Sequence, residues 1–138
     1  MNQPKATIKQ AWPYQQDRMN LPVNDLEAAL PFYEQTLGFR LLSRTNTPYQ
    51  SAILVRDEIQ IGLVENGADP TQDGCFFEVD DVANAFDELK ANGLARDHPD
   101  FTFQRHGDVN WKVFFMVAPD GLCYCYGERH SPKLPLLG

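Results

Sequence analysis

The chain has 138 residues, 12 Lys and Arg against 19 Asp and Glu, and a net charge of −7. That length fits one domain, or two small halves sharing a core, and 43% hydrophobic with 22% charged residues excludes a disordered chain. The acidic balance argues against nucleic acid and anionic membranes as partners, and no apolar run approaches the roughly 20 residues of a membrane span.

The N-terminus, MNQPKATIKQAWPYQQ, lacks the apolar stretch of a secretory signal. Cys75, Cys123 and Cys125 are odd in number and form no CxxC pair. They read as reduced thiols, and a cytoplasmic location is expected.

In chain order, residues 1–17 read as an N-terminal arm, interrupted by Pro4 and Pro13. Residues 18–23 alternate polar and apolar, which predicts a half-buried strand with Met19, Leu21 and Val23 inward and incomplete pairing at Pro22. Asn24 and Asp25 cap a helix whose apolar positions are Leu26, Ala29, Leu30, Tyr33 and Leu37. Pro31 should kink it and Gly38 should end it. Strands are expected at 39–45, 50–56 and 58–65, the last two as a hairpin through Asp57, and residues 66–73 form a linker.

The order then repeats. Residues 74–79 predict a strand with Cys75, Phe77 and Val79 inward. Asp80 and Asp81 cap a helix from Val82 to Asn92, which Gly93 ends. Strands follow at 101–105, 111–117 and 122–128, with a tight turn at Ala118-Pro119-Asp120-Gly121. Val23-Asn24-Asp25-Leu26 recurs as Val79-Asp80-Asp81-Val82, and the strands ending in Glu65 and Glu128 correspond. A βαβββ unit repeated twice is the simplest reading. The organisation is therefore an arm (1–17), one domain (18–129) made of module one (18–66) and module two (74–129), and a C-terminal tail (130–138).

The run Val-Asn-Asp-Leu-Glu-Ala-Ala-Leu-Pro-Phe-Tyr-Glu-Gln-Thr-Leu-Gly-Phe resembles the vicinal oxygen chelate superfamily of glyoxalases, extradiol dioxygenases and bleomycin-resistance proteins. Phe-Glu-Val-Asp-Asp-Val and the Ala-Pro-Asp-Gly turn agree. The resemblance implies an α+β fold in which two tandem βαβββ modules form a cup-shaped mixed sheet with helices outside. It also implies a homodimer, and the arm through Trp12 and Pro13 is a candidate clasp across it.

Metal-using members place His or Glu at positions that fall here on Arg18, Gly62, Gly74 and Cys125. An arginine and two glycines offer no lone pair, so no metal, no cofactor and no catalytic residue is expected. Residues of the opposite strand faces would line the cup. The expected ligand-binding set is Arg18, Asn20, Gln60, Phe76, Glu78, Trp111 and Cys125, with Tyr49 as a further wall and His106 at the rim.

Arg18 should pair with Glu78 or Glu58. Placed beside Cys125, it could lower that thiol's pKa. Gly62 and Gly74 should leave volume, while Glu65 and Glu128 read as surface charges. The expected function is metal-free binding of a planar or antibiotic-like small molecule. The alternative is a lyase, isomerase or dioxygenase of the same superfamily.

Overall fold

The structure, a computed structural model, describes residues 5–14 and 17–130. Arm residues 1–4 and 15–16 and tail residues 131–138 lie outside the described residues. Among those described, nine strands and two α-helices follow in the order β1 (Ile8–Pro13), β2 (Leu21–Pro22), α1 (Leu26–Pro31), β3 (Arg40–Thr45), β4 (Ser51–Arg56), β5 (Ile59–Val64), β6 (Gly74–Val79), α2 (Val82–Ala91), β7 (Thr102–His106), β8 (Val109–Val117) and β9 (Cys123–Arg129), with a short 3-10 turn at Pro70–Gln72 before β6. The architecture is α+β, with two βαβββ units of identical topology. One sheet has the order β2-β5-β4-β3 and the other β1-β6-β9-β8-β7. In each unit the first strand pairs parallel to the last, β2 with β5 and β6 with β9, and the remaining neighbours pair antiparallel.

The arm is the largest addition to the expected pattern. Residues 8–13 form a strand, antiparallel to β6, with Trp12 opposite Phe76. A bulge between Ile8 and Gln10 lets both Ile8 and Ala11 face the core. The arm also runs beside β5, so it fills the seam between the two sheets. The strand expected over residues 18–23 shrinks to Leu21–Pro22. Asp17 takes up the chain before it in a turn, its carbonyl accepting from the Asn20 amide.

Helix α1 begins as expected, with Asp25 accepting from the Ala28 amide. Pro31 has no N–H to give to the preceding turn, and the helix widens after it into a π-helical turn over Phe32–Thr36. Asp81 caps α2 in the same way through Asn84.

Glu65 and Glu128 are not the surface charges expected. The Leu26 amide donates to Glu65 Oε2 at 2.7 Å and the Val82 amide to Glu128 Oε1 at 2.8 Å. Each module therefore ends in a carboxylate that satisfies the first free N–H of its own helix, where the helix dipole also favours negative charge.

The core forms where both modules bury one sheet face. Leu21, Leu54, Ile61 and Leu63 from the first join Cys75, Phe77, Phe114 and Tyr124 from the second in a single cluster with both helices. The Tyr33 and Tyr124 hydroxyls hydrogen-bond across it. A buried ion pair joins the modules as well. Arg56 Nη2 on β4 lies 2.7 Å from Glu88 Oε1 on α2. The same guanidinium donates to the Leu37 and Ala6 carbonyls at 2.7 and 2.6 Å.

Candidate functional site

The open face of the five-stranded sheet carries a second, smaller apolar cluster. Trp111, Val113 and Cys125 are buried there, with Phe76 and Val109 against them. Strand register explains the grouping. Phe76 pairs with Cys125, Glu78 with Gly127, and Val113 with Gly127 across β6, β9 and β8. Gly127 has room for nothing more, because a Cβ there would lie 2.4 Å from the Phe76 ring. The missing side chain lets Phe76 lie down across β9.

Above this floor is a recess of about 500 Å³ lined by Trp12, Pro13, Tyr14, Phe76, His106 and Trp111. The Trp111 ring meets the Phe76 ring edge-on at 5.0 Å, and the Trp12 ring stands 5.8 Å from Phe76 and 6.2 Å from Trp111. Trp12 and Tyr14 remain 42% and 41% exposed, so the aromatic surface faces solvent. His106 stands 6.3 Å from Phe76 and hydrogen-bonds Gln104. Arg129 stacks over Trp111 at 5.0 Å, held there by a 2.9 Å bond from its Nε to the buried carboxylate of Glu78. Lys9 reaches the same carboxylate at 4.0 Å.

The structure thus divides the expected ligand set. Phe76, Glu78, Trp111 and Cys125 come together. Arg18, Asn20 and Gln60 lie in module one, where Arg18 Nε donates to the Gln60 carbonyl and Asn20 lines a separate recess with Pro48, Tyr49 and Ile53. Tyr49 is therefore not a wall beside Phe76. Arg18 pairs with neither Glu78 nor Glu58, and Glu78 takes Arg129 and Lys9 instead.

The thiol expectation also changes. Burial, reinforced by Cys123, pushes the Cys125 thiol up to about 12. Burial likewise raises Cys75 to about 12, and it is on Cys75 that the opposing field of Arg18 falls. Neither thiol is an activated nucleophile.

Gly62 and Gly74 do not leave pocket volume. A Cβ on Gly74 would sit 1.7 Å from the Cys123 carbonyl oxygen, and one on Gly62 would sit 2.1 Å from that of Met19. Both are glycine because another backbone passes there. With Arg18 turned to Gln60 and Cys125 buried and protonated, the four positions that hold metal in related enzymes do not fit a divalent cation here. Among the described residues, no three His, Cys, Asp or Glu side chains converge as ligands.

Reading the sequence missed Tyr14, Lys9 and Arg129, and it did not place Trp12 in the recess. The available signal was the run Ile8–Tyr14, which alternates as a strand once one bulge is allowed.

No described helix is long and apolar enough to cross a membrane. A comparison with curated protein sequences returns no match. Solved structures share the fold. A protein from the mobile metagenome of V. Pseudocholerae is 19% identical, with 83% of this chain and 94% of that one covered and a TM-score of 0.63. The bleomycin resistance determinant encoded on transposon Tn5 is 24% identical over 83% and 98%, with a TM-score of 0.58. TnmS3, an antibiotic binding protein from Streptomyces sp. CB03234, is 22% identical over 85% and 98%, with a TM-score of 0.57. The family model described as Glyoxalase/Bleomycin resistance protein/Dioxygenase superfamily matches residues 15–115. With its two βαβββ units and that match over most of its length, the chain belongs to the Glyoxalase/Bleomycin resistance protein/Dioxygenase superfamily.

Proposed function

We propose that this protein binds a planar small molecule, of the kind antibiotics provide, on the aromatic floor of Trp12, Tyr14, Phe76 and Trp111 and performs no metal chemistry on it. The observation that carries this reading is the recess itself, about 500 Å³ of mostly apolar wall with a few polar groups at its edge. The structural likeness to a bleomycin resistance determinant and an antibiotic binding protein supports it. The chemistry of Arg18, Gly62, Gly74 and Cys125 supports the metal-free part. A homodimer belongs to the same proposal, because Phe115 and Val117 extend the apolar face beyond the recess and are 41% and 63% exposed.

Trp12 and Trp111 are the two tryptophans of the chain, so a bound planar ligand reports itself in indole fluorescence. A panel of planar aromatic compounds is titrated against the protein, with melting temperature read in parallel. A ligand at 100 times its Kd adds about 2.7 kcal/mol to stability. A panel that neither quenches the indoles nor moves the melting temperature refutes the binding reading. Turnover of a glyoxalase or dioxygenase substrate, lost on chelation and restored by a divalent ion, refutes the metal-free reading and replaces it with an enzyme. Light scattering at micromolar concentration tests the dimer, and a monomer there refutes it.

A further inference from the structure

Half of the recess wall, namely Trp12, Pro13 and Tyr14, stands on the arm, and the arm is held in an unusual way. Three consecutive backbone amides are each received by a carboxylate from a different place in the fold. The Ala6 N–H donates to Glu88 Oε1 on α2 at 2.9 Å, that of Thr7 to Asp80 Oδ1 just before α2 at 2.9 Å, and that of Ile8 to Asp57 Oδ2 in the β4–β5 turn at 2.8 Å. Two of the carbonyls are taken as well. Arg56 Nη2 reaches the Ala6 oxygen at 2.6 Å, and the Asp80 amide reaches that of Thr7 at 3.1 Å.

Asp57 holds its place at a cost, with φ at +56° in the tight turn between β4 and β5, a conformation that glycine or asparagine takes more easily. A carboxylate there adds a strong charged acceptor for the arm.

We infer that Asp57, Asp80 and Glu88 are positioning residues for the ligand site: they dock the arm, and arm docking and ligand occupancy form one coupled equilibrium. The inference rests on the recess being the binding site. Its physical basis is that a ligand lying on the floor against both Trp12 and Trp111 makes its Trp12 contact only while the arm is docked. Such a ligand stabilises docking, and undocking lowers its apparent affinity by the fraction of protein left competent.

The test pairs amide hydrogen exchange with binding of 2-naphthol, a neutral planar probe, in the full chain. Asp57 and Asp80 are both exposed, but Asp57 also pairs with the buried Arg56 at 3.4 Å, so unchanged protection of β4, β5, β8 and β9 checks that Asp57→Ala with Asp80→Ala leaves the core intact. The expected result has three parts. Exchange of the Ala6–Ile8 amides accelerates by at least roughly tenfold, consistent with losing two charge-assisted hydrogen bonds. Affinity for 2-naphthol falls, and saturating 2-naphthol restores arm protection. Asp57→Asn with Asp80→Asn keeps an acceptor oxygen at each position and stays near the parent in both readouts.

Trp12→Ala serves as the contrast, losing affinity while the Ala6–Ile8 amides stay protected. An arm that loosens with affinity unchanged overturns the coupling and leaves the binding reading standing. An arm that stays protected in the double alanine variant overturns the positioning role. If the double variant does not fold, the single variant Asp80→Ala decides the same point by the same readout. A parent protein that takes up neither 2-naphthol nor any member of the planar panel overturns the binding reading and the coupling together.

Discussion

Glu88→Ala tests the junction on which the two modules and the arm depend. Glu88 sits on α2 with its side chain 11% exposed, and Arg56 on β4 has a side chain 7% exposed. One carboxylate oxygen receives both Arg56 Nη2, at 2.7 Å, and the Ala6 amide, at 2.9 Å. Removing it leaves a buried guanidinium with only its longer pairing to Asp57 and an amide without its acceptor. Breaking a buried pair from one side typically costs about 3–5 kcal/mol. Arg56 would keep the Leu37 and Ala6 carbonyls and a 3.4 Å contact with Asp57, which places the expected loss at the low end, about 3 kcal/mol. For a domain of this length that is roughly a 10 °C fall in melting temperature.

Replacing both partners with apolar residues, Arg56→Met with Glu88→Leu, removes the unpaired charge but also takes these partners from the Ala6 amide and the Leu37 and Ala6 carbonyls, so it should recover only part of the loss. Urea unfolding of the parent, Arg56→Met, Glu88→Leu and the double variant gives the coupling energy directly. A loss below about 1 kcal/mol for Glu88→Ala, or additive single effects, would refute the reasoning.

Gly74→Leu should fail to fold or lose more than the roughly 1–3 kcal/mol of an overpacked core site, because its Cβ meets backbone at Cys123; a variant as stable as the parent in a thermal melt would contradict this. Glu65→Ala and Glu128→Ala should each cost about 1 kcal/mol by urea unfolding, in nearly equal measure, because each strips one acceptor from an equivalent helix start. The raised thiols of Cys75 and Cys125 set an alkaline limit. The folded state keeps both protons while the unfolded chain releases them near pH 9, so the contribution is whole below that pH and lost as pH rises toward 12. The expected slope is about −1.4 kcal/mol per pH unit for each thiol. Cys125→Ala should remove one such share, and a stability that stays flat from about pH 9 to about 10.5 would count against the burial argument. In the folded protein at about pH 8, below the raised pKa, the Cys125 thiol should resist iodoacetamide, which mass spectrometry reads directly.

Local pattern determined the repeat. Alternation in Cys75-Phe76-Phe77, helix starts at Asp25 and Asp81, and stops at Gly38 and Gly93 each depend on neighbours within a few residues, and each appears close to where the pattern puts it, whereas the strand expected over residues 18–23 keeps only Leu21–Pro22. Facing, too, was legible along a strand, which is why Phe76, Glu78 and Cys125 fall on the open side. Tertiary structure decided the pairings among distant groups. Arg18 and Glu78 have the right charges and the same strand parity, but parity does not say which cation stands closest. The register of β6 against β9 brings Arg129 to Glu78, and that of β8 against β9 sets Trp111 under the same guanidinium. A glycine in a strand reads equally as vacant space or as a crossing point for another backbone, and only the position of Cys123 makes Gly74 the latter. The arm shows the same division. Its residues carry a strand pattern broken by one bulge, but its place depends on carboxylates at 57, 80 and 88, up to 82 residues away, and hydrogen bonds over such separations leave no periodic mark in the chain that makes them.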